Sequence, residues 1–210
     1  MKKDAKKLEV KKNIKKIEKV LTKQIVKSAS KNLEKKIIVF TDGSSLGNPG
    51  PGGYGVVIVF PNGSTSPLGG VVELGGYEKN TTNNRMEITG PIRALEFIRA
   101  SVPNLGLYTV LMHLDSQYTI SGITTWIHGW KKNDWKTANK KPVLNQDLWQ
   151  ELHDIENNWK GKVEWKKVAG HAGVSLNERV DVIATTCASK KKCDLYSGAR
   201  SEYKENITEF

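Results

Sequence analysis

The chain has 210 residues, 38% hydrophobic and 26% charged, enough apolar material for one folded domain with an appendage. Its formal net charge of +11 is unevenly spread: residues 1–36 carry +10 and the remaining 174 carry +1, so the basicity belongs to an arm. Two cysteines exclude a disulfide framework and, lacking metal-ligand spacing, a structural zinc. With no apolar signal core and no run near the roughly 18 residues of a membrane span, an intracellular, cytoplasmic protein without a membrane partner is expected, nucleus or organelle being left open.

In the arm, Val10, Ile14, Ile17, Leu21 and Ile25 recur at helical steps among lysines, which predicts an amphipathic basic helix; "KSASKN" then reads as a linker. A solvated helix and a segment that loads onto polyanions fit equally well, and the acids within it disfavour a transit peptide. The domain opens with "KIIVF", a glycine-rich turn, "YGVVIVF" and "GGVVELGGY", short apolar runs that predict three antiparallel strands, the first ending at Asp42. From Thr82 the period changes: Met86, Ile88, Ile92, Leu95, Phe97 and Ile98 predict a helix capped by Thr82 or Asn83, kinked or cut short at Gly90–Pro91. "LYTVLMHLD" predicts a fourth strand ending at Asp115. Helices follow over 117–130 and 145–159, then a fifth strand in "KVEWKKV" and a last helix from Ser175. The order implies an α/β fold, a mixed five-stranded sheet of one antiparallel meander plus parallel strands, flanked by helices. The segments are an arm and linker at 1–36, a domain at 37–192, and a polar tail at 193–210 read as disordered.

In such a sheet, function gathers beyond the carboxyl ends of the parallel strands. Asp42 and Asp115 end candidate strands, Glu87 lies early in the first domain helix and Asp181 early in the last. Each alone has an ordinary explanation, as a turn residue or as a helix N-terminal charge. As a set the four acids would repel one another unless cations compensate, and all-oxygen ligation suits Mg²⁺ or Mn²⁺. A pair of such ions is the recurring device for displacement at phosphorus. The glycine-rich turn lacks the ending of a nucleotide-binding P-loop, so its glycines serve close backbone approach.

The motifs "TDGSSLGNPGPGGYG", "TTNNRMEI", "LDSQY", "GITTWIHGWKKNDWKTANKKPV", "DLW", "GHAG" and "NERVD" occur in the order and at about the spacing of type 1 ribonuclease H, so the chain from Ile37 to Lys190 resembles the bacterial ribonuclease HI group. The resemblance implies hydrolysis of the RNA strand of an RNA–DNA hybrid, leaving 3′-hydroxyl and 5′-phosphate ends. By motif position it implies that Asp42, Glu87, Asp115 and Asp181 hold two Mg²⁺, with Mn²⁺ possible, and that His171 assists proton transfer or product release. It further implies that Asn48, Asn83 and Gln117 read 2′-hydroxyls or the minor groove. Thr82 and Asn145 resemble a pocket for a DNA-strand phosphate, where Asn80 departs from the arginine common in the family. Tyr118 and Trp126 resemble the channel for the DNA strand, and the Lys-rich segment up to Val143 resembles the family's basic protrusion; Trp130 and Trp135 read as core. Asn84 matches a motif position but serves equally as a structural amide.

A transposase or integrase on the same fold is disfavoured by the order Asp, Glu, Asp, Asp. The alternative from another class is a catalytically inactive hybrid-binding module. A monomer with no obligate protein partner is expected.

Overall fold

The computed structural model describes residues 35–61, 70–170 and 173–207. The predicted basic helix of the arm and His171 lie outside the described residues. Three strands open the fold: β1 (Lys35–Ser45), β2 (Gly50–Val59) and β3 (Val71–Thr81), paired antiparallel in sequence. Helix α1 (Asn83–Ser101) follows, then β4 (Tyr108–Leu114) and the short helix α2 (Gln117–Ser121). A wide π turn at Gly122–Trp126 joins α2 to α3 (Ile127–Lys132) with helical backbone at both joins, so the chain is helical throughout the expected 117–130. Helix α4 (Gln146–Asn157), β5 (Lys162–Lys167), α5 (Ser175–Ala188) and β6 (Ser197–Gly198) complete the order.

The sheet runs β5-β4-β1-β2-β3-β6, with β4 and β5 parallel and β6 antiparallel to β3. It therefore has six strands where five were expected. The sixth comes from the tail, whose few apolar residues predict disorder. Those few suffice: Tyr196, Tyr203 and Ile207 pack on a buried cluster beside Val71 and Leu176. Among the described residues no helix is long and apolar enough to cross a membrane.

Strand alternation divides the core between two faces. On one, Ile37, Val39, Val56 and Ile58 meet Ile88, Ile92, Leu95 and Ile98 of α1 and Trp149 of α4. On the other, Phe40, Val57 and Val59 meet Val180 and Ile183 of α5. The predicted break at Pro91 does not occur, and α1 continues through it. A mid-helix proline costs about 3 kcal/mol, whereas burying four large aliphatic side chains contributes about 1.5–3 kcal/mol each. Packing wins. Thr82 supplies the cap, its hydroxyl accepting from the Arg85 N–H at 3.4 Å.

One buried charge lies on the α5 face of β3. The Glu73 carboxylate accepts two bonds from Arg179, each 2.7 Å, one from the Tyr203 hydroxyl at 2.6 Å and one from the Tyr196 N–H at 2.9 Å. Burial alone would push the Glu73 carboxyl up; those donors bring it below its ordinary value. Arg179→Met should leave this carboxylate buried without its cation and cost about 3–5 kcal/mol in urea unfolding. A loss under about 1 kcal/mol would show the pair to be dispensable.

Candidate active site

Asp42 was expected at the end of a strand, but β1 continues to Ser45 and Asp42 lies within it, opposite Gly55 of β2. Glycine is a weak strand former, so the residues just past Asp42 and their partners Gly52 and Gly53 read as a turn in sequence. Asp115 does follow the last residue of β4, the neighbour of β1.

Two glycines bring helices to Asp42. A Cβ added at Gly43 would lie 2.2 Å from the backbone nitrogen of Glu87, so only glycine lets α1 approach β1 there. A Cβ at Gly55 would lie 2.2 Å from the carbonyl oxygen of Val180, so α5 sits equally close on the other face, one residue before Asp181. The glycine-rich turn predicts close backbone approach to a ligand; at Gly43 and Gly55 the structure shows close approach of helices. Gly43→Ala should push α1 outward, destabilise by about 1–3 kcal/mol and weaken divalent-ion binding; melting with and without Mg²⁺ checks both, and an unaltered ion response would contradict the role of this contact.

The Glu87 carboxylate is held at both oxygens, by Asn83 Nδ2 at 2.8 Å and by the Ser116 hydroxyl at 2.5 Å. Ser116 also caps α2, accepting from the Thr119 N–H at 3.2 Å. Sequence reading missed Ser116, whose only signal was its place in "LDSQY" between two assigned residues. The Asp42 carboxylate accepts from the Gly43 N–H at 2.7 Å. Even so, the Asp42 carboxyl is pushed up to about 7, first by burial, then by the charge of Asp115, with Asp181 and Glu87 adding to it. Burial likewise raises Glu87, against its hydrogen bond from Ser116 and with the charge of Asp115. The four acids thus share one electrostatic neighbourhood. Among the described residues no three His, Cys, Asp or Glu groups form a ready-made ion cage, so closure around a cation would require side-chain adjustment. The donor set suits hard divalent cations: carboxylate oxygens alone, with the charges of Asp115, Asp181 and Glu87 all acting on Asp42.

The remaining sequence-chosen residues are spread around this centre. Asn48 is exposed in the turn between β1 and β2. Asn83 is committed to Glu87, while Gln117 donates to Ser121 Oγ and accepts from Lys167 Nζ, 2.9 and 2.8 Å. Thr82 serves as the cap of α1, and Asn145 donates to the Tyr118 hydroxyl at 3.2 Å. Tyr118, Trp126, Trp130 and Trp149 form a ring of aromatic contacts with centroids 5.5–5.9 Å apart. Trp149 is buried and Trp126 is 41% exposed, giving an aromatic face anchored in the core. Trp130 and Trp135 pack against the core as expected. Arg85, not singled out in sequence, holds Asp147 at both oxygens, 2.9 and 2.6 Å, and so ties α1 to α4.

The family model described as RNase H matches residues 34–189. A ribonuclease H of Thermosynechococcus vestitus is 52% identical over 148 residues, covering 70% of this chain and 84% of that relative. One from Shewanella loihica is 44% identical over 168 residues, 80% of this chain and 97% of the relative. Among solved structures, LC9-RNase H1, a type 1 RNase H with the type 2 active-site motif, superposes with a TM-score of 0.66 at 31% identity, covering 80% of each chain. LC11-RNase H1 in complex with RNA/DNA hybrid gives a TM-score of 0.52 at 25% identity, over 73% of this chain and 97% of that one.

Proposed function

The chain belongs to the ribonuclease H family, and from that premise we propose that it hydrolyses the RNA strand of RNA–DNA hybrids with two divalent ions, leaving 3′-hydroxyl and 5′-phosphate ends. The observation that carries this reading is the seating of α1 on Gly43 at Glu87 and of α5 on Gly55 at Val180, beside Asp42, whose carboxyl is pushed up by burial and by the charges of Asp115, Asp181 and Glu87. Asp42, Glu87, Asp115 and Asp181 would hold the ions, Mg²⁺ or Mn²⁺. Bound there, such ions supply Lewis-acid activation of the attacking water and charge stabilisation at the leaving 3′-oxygen.

The protein's own groups orient the hybrid. Ser116 and Asn83 fix the Glu87 carboxylate, so that its direction does not depend on the substrate. The amides of Asn48, Asn83 and Gln117 both donate and accept, which suits a 2′-hydroxyl, the group that distinguishes RNA from DNA. The exposed face of Trp126, backed by Tyr118 and Trp130, offers the DNA strand a rigid stacking surface. Thr82 and Asn145 would receive a DNA-strand phosphate, and His171 would move a proton near neutral pH.

Matched RNA–DNA, RNA–RNA and DNA–DNA duplexes, incubated with and without Mg²⁺, test the reading. Cleavage of RNA in the hybrid alone, and only with the ion, is expected; an intact hybrid would leave the chain as a binding module. Removing residues 1–36 should weaken binding at low salt and flatten its salt dependence without altering the products, because lysines on phosphate act by counterion release. An unchanged salt slope would reject that role for the arm.

A further inference from the structure

The family match ends at residue 189, yet the chain beyond it contacts α5 from end to end. Near the helix C-terminus, Cys193 packs against the cluster that contains Cys187. In the middle, the carbonyl oxygen of Asp194 accepts from Arg179 Nη2 at 3.0 Å, while Tyr196 and Tyr203 bind the same Glu73 carboxylate that Arg179 grips. At the N-terminus, Ser175 donates its hydroxyl to Glu205 at 2.8 Å and accepts from the Asn206 N–H at 3.2 Å. The Glu205 charge thus sits where the helix dipole favours an anion.

The seat of α5 explains why such anchoring matters. The helix rests on β2 at Gly53 and Gly55, where an added Cβ would lie 2.6 Å from the Ala184 oxygen and 2.2 Å from the Val180 oxygen. Glycines set how deeply a helix lies but give no side chains for its ridges to interlock with. Phe40, Val57 and Val59 hold the middle of α5 through Val180 and Ile183, and the rest of its axial and rotational setting must come from its ends.

We propose that the strap Cys193–Ile207 is a positioning element of the active site: holding Ser175 through Glu205 and Asn206, and Arg179 through Asp194 and Glu73, it fixes the register of α5 and hence of Asp181 against Asp42. The consequence for cleavage rests on the hydrolase reading; the consequence for ion binding does not.

The test uses full-length Glu205→Ala, Glu205→Gln and Tyr203→Phe, with Ile98→Val as a core variant on the opposite face of the sheet. The Mg²⁺ concentration giving half of the maximal rise in Tm is measured for each, together with kcat and KM on a labelled hybrid. Partners that orient metal ligands typically change ion affinity about 10–100-fold; Glu205 acts one step further out, so Glu205→Ala is expected to raise the Mg²⁺ midpoint at least ~5-fold. It should also lower kcat at fixed Mg²⁺ with KM unchanged. Glu205→Gln, which retains an accepting oxygen, should stay near wild type, and Ile98→Val should lose Tm without moving the midpoint. Midpoints within about twofold of wild type for both Glu205→Ala and Tyr203→Phe would overturn the proposal. A wild-type protein that cleaves no hybrid would instead defeat the functional reading, while the Mg²⁺ midpoints still decide the strap.

Discussion

Asp115→Asn is expected to lower hybrid cleavage by roughly 10³-fold or more while leaving hybrid affinity nearly unchanged. Asp115 stands immediately beyond β4 and contributes the largest charge acting on Asp42. A Cβ at Gly170 would lie 3.1 Å from its Oδ2, so the chain after β5 passes close over this carboxylate. Asparagine keeps the shape and one acceptor but removes the charge that would hold an ion. Single-turnover cleavage with Mg²⁺, beside a binding titration without it, separates the two effects. Lost binding with intact chemistry would show that Asp115 holds substrate, not ions.

The second large effect concerns stability without metal. In the fold the Asp42 carboxyl is raised from 3.8 to about 7, so its proton is held more tightly in the native chain than in the unfolded one. For a raised acid, the stabilising contribution is complete below the unfolded value and is lost as pH rises through the folded one. Metal-free wild-type protein should therefore lose stability between about pH 4 and pH 7, by up to about 4 kcal/mol from this group and about 2–4 kcal/mol with partial solvent screening. Asp42→Asn carries no such penalty. In EDTA the two proteins should have similar unfolding free energies near pH 4, with the variant becoming the more stable by pH 7–8. Added Mg²⁺ should rescue wild type and do little for the variant. A difference that stays flat with pH would contradict the crowding of carboxylates around Asp42.

The acids were legible because each sits in a short motif beside a change of period, although Asp42 proves to lie within its strand and not at its end. Their convergence was inferred from topology, and the electrostatics of Asp42 support it. Their surroundings were harder to read. Gly50–Gly53 reads as a loop because glycine disfavours strands in isolation, but opposite β1 the same residues belong to a strand, and Gly53 makes it thin enough for α5 to touch. Pro91 looked like a break because local propensity omits the aliphatic burial that offsets it. The tail looked disordered because its contacts go to Glu73 and Arg179, more than a hundred residues apart in sequence, and no local pattern announces a partner at that distance. A glutamate at an inward position of "VVEL" was the one available sign of a buried charge awaiting a cation.

On the proposed mechanism, Asp42, Glu87, Asp115 and Asp181 act together as the seat of divalent ions. Calorimetric titration of Mg²⁺ into metal-free protein tests it most directly, for wild type and for Asp42→Asn, Glu87→Gln, Asp115→Asn and Asp181→Asn. Saturable binding by wild type, weakened or abolished by every one of the four substitutions, is the predicted result. Binding as tight in all four variants as in wild type would mean that the ions sit elsewhere, and the account would fail.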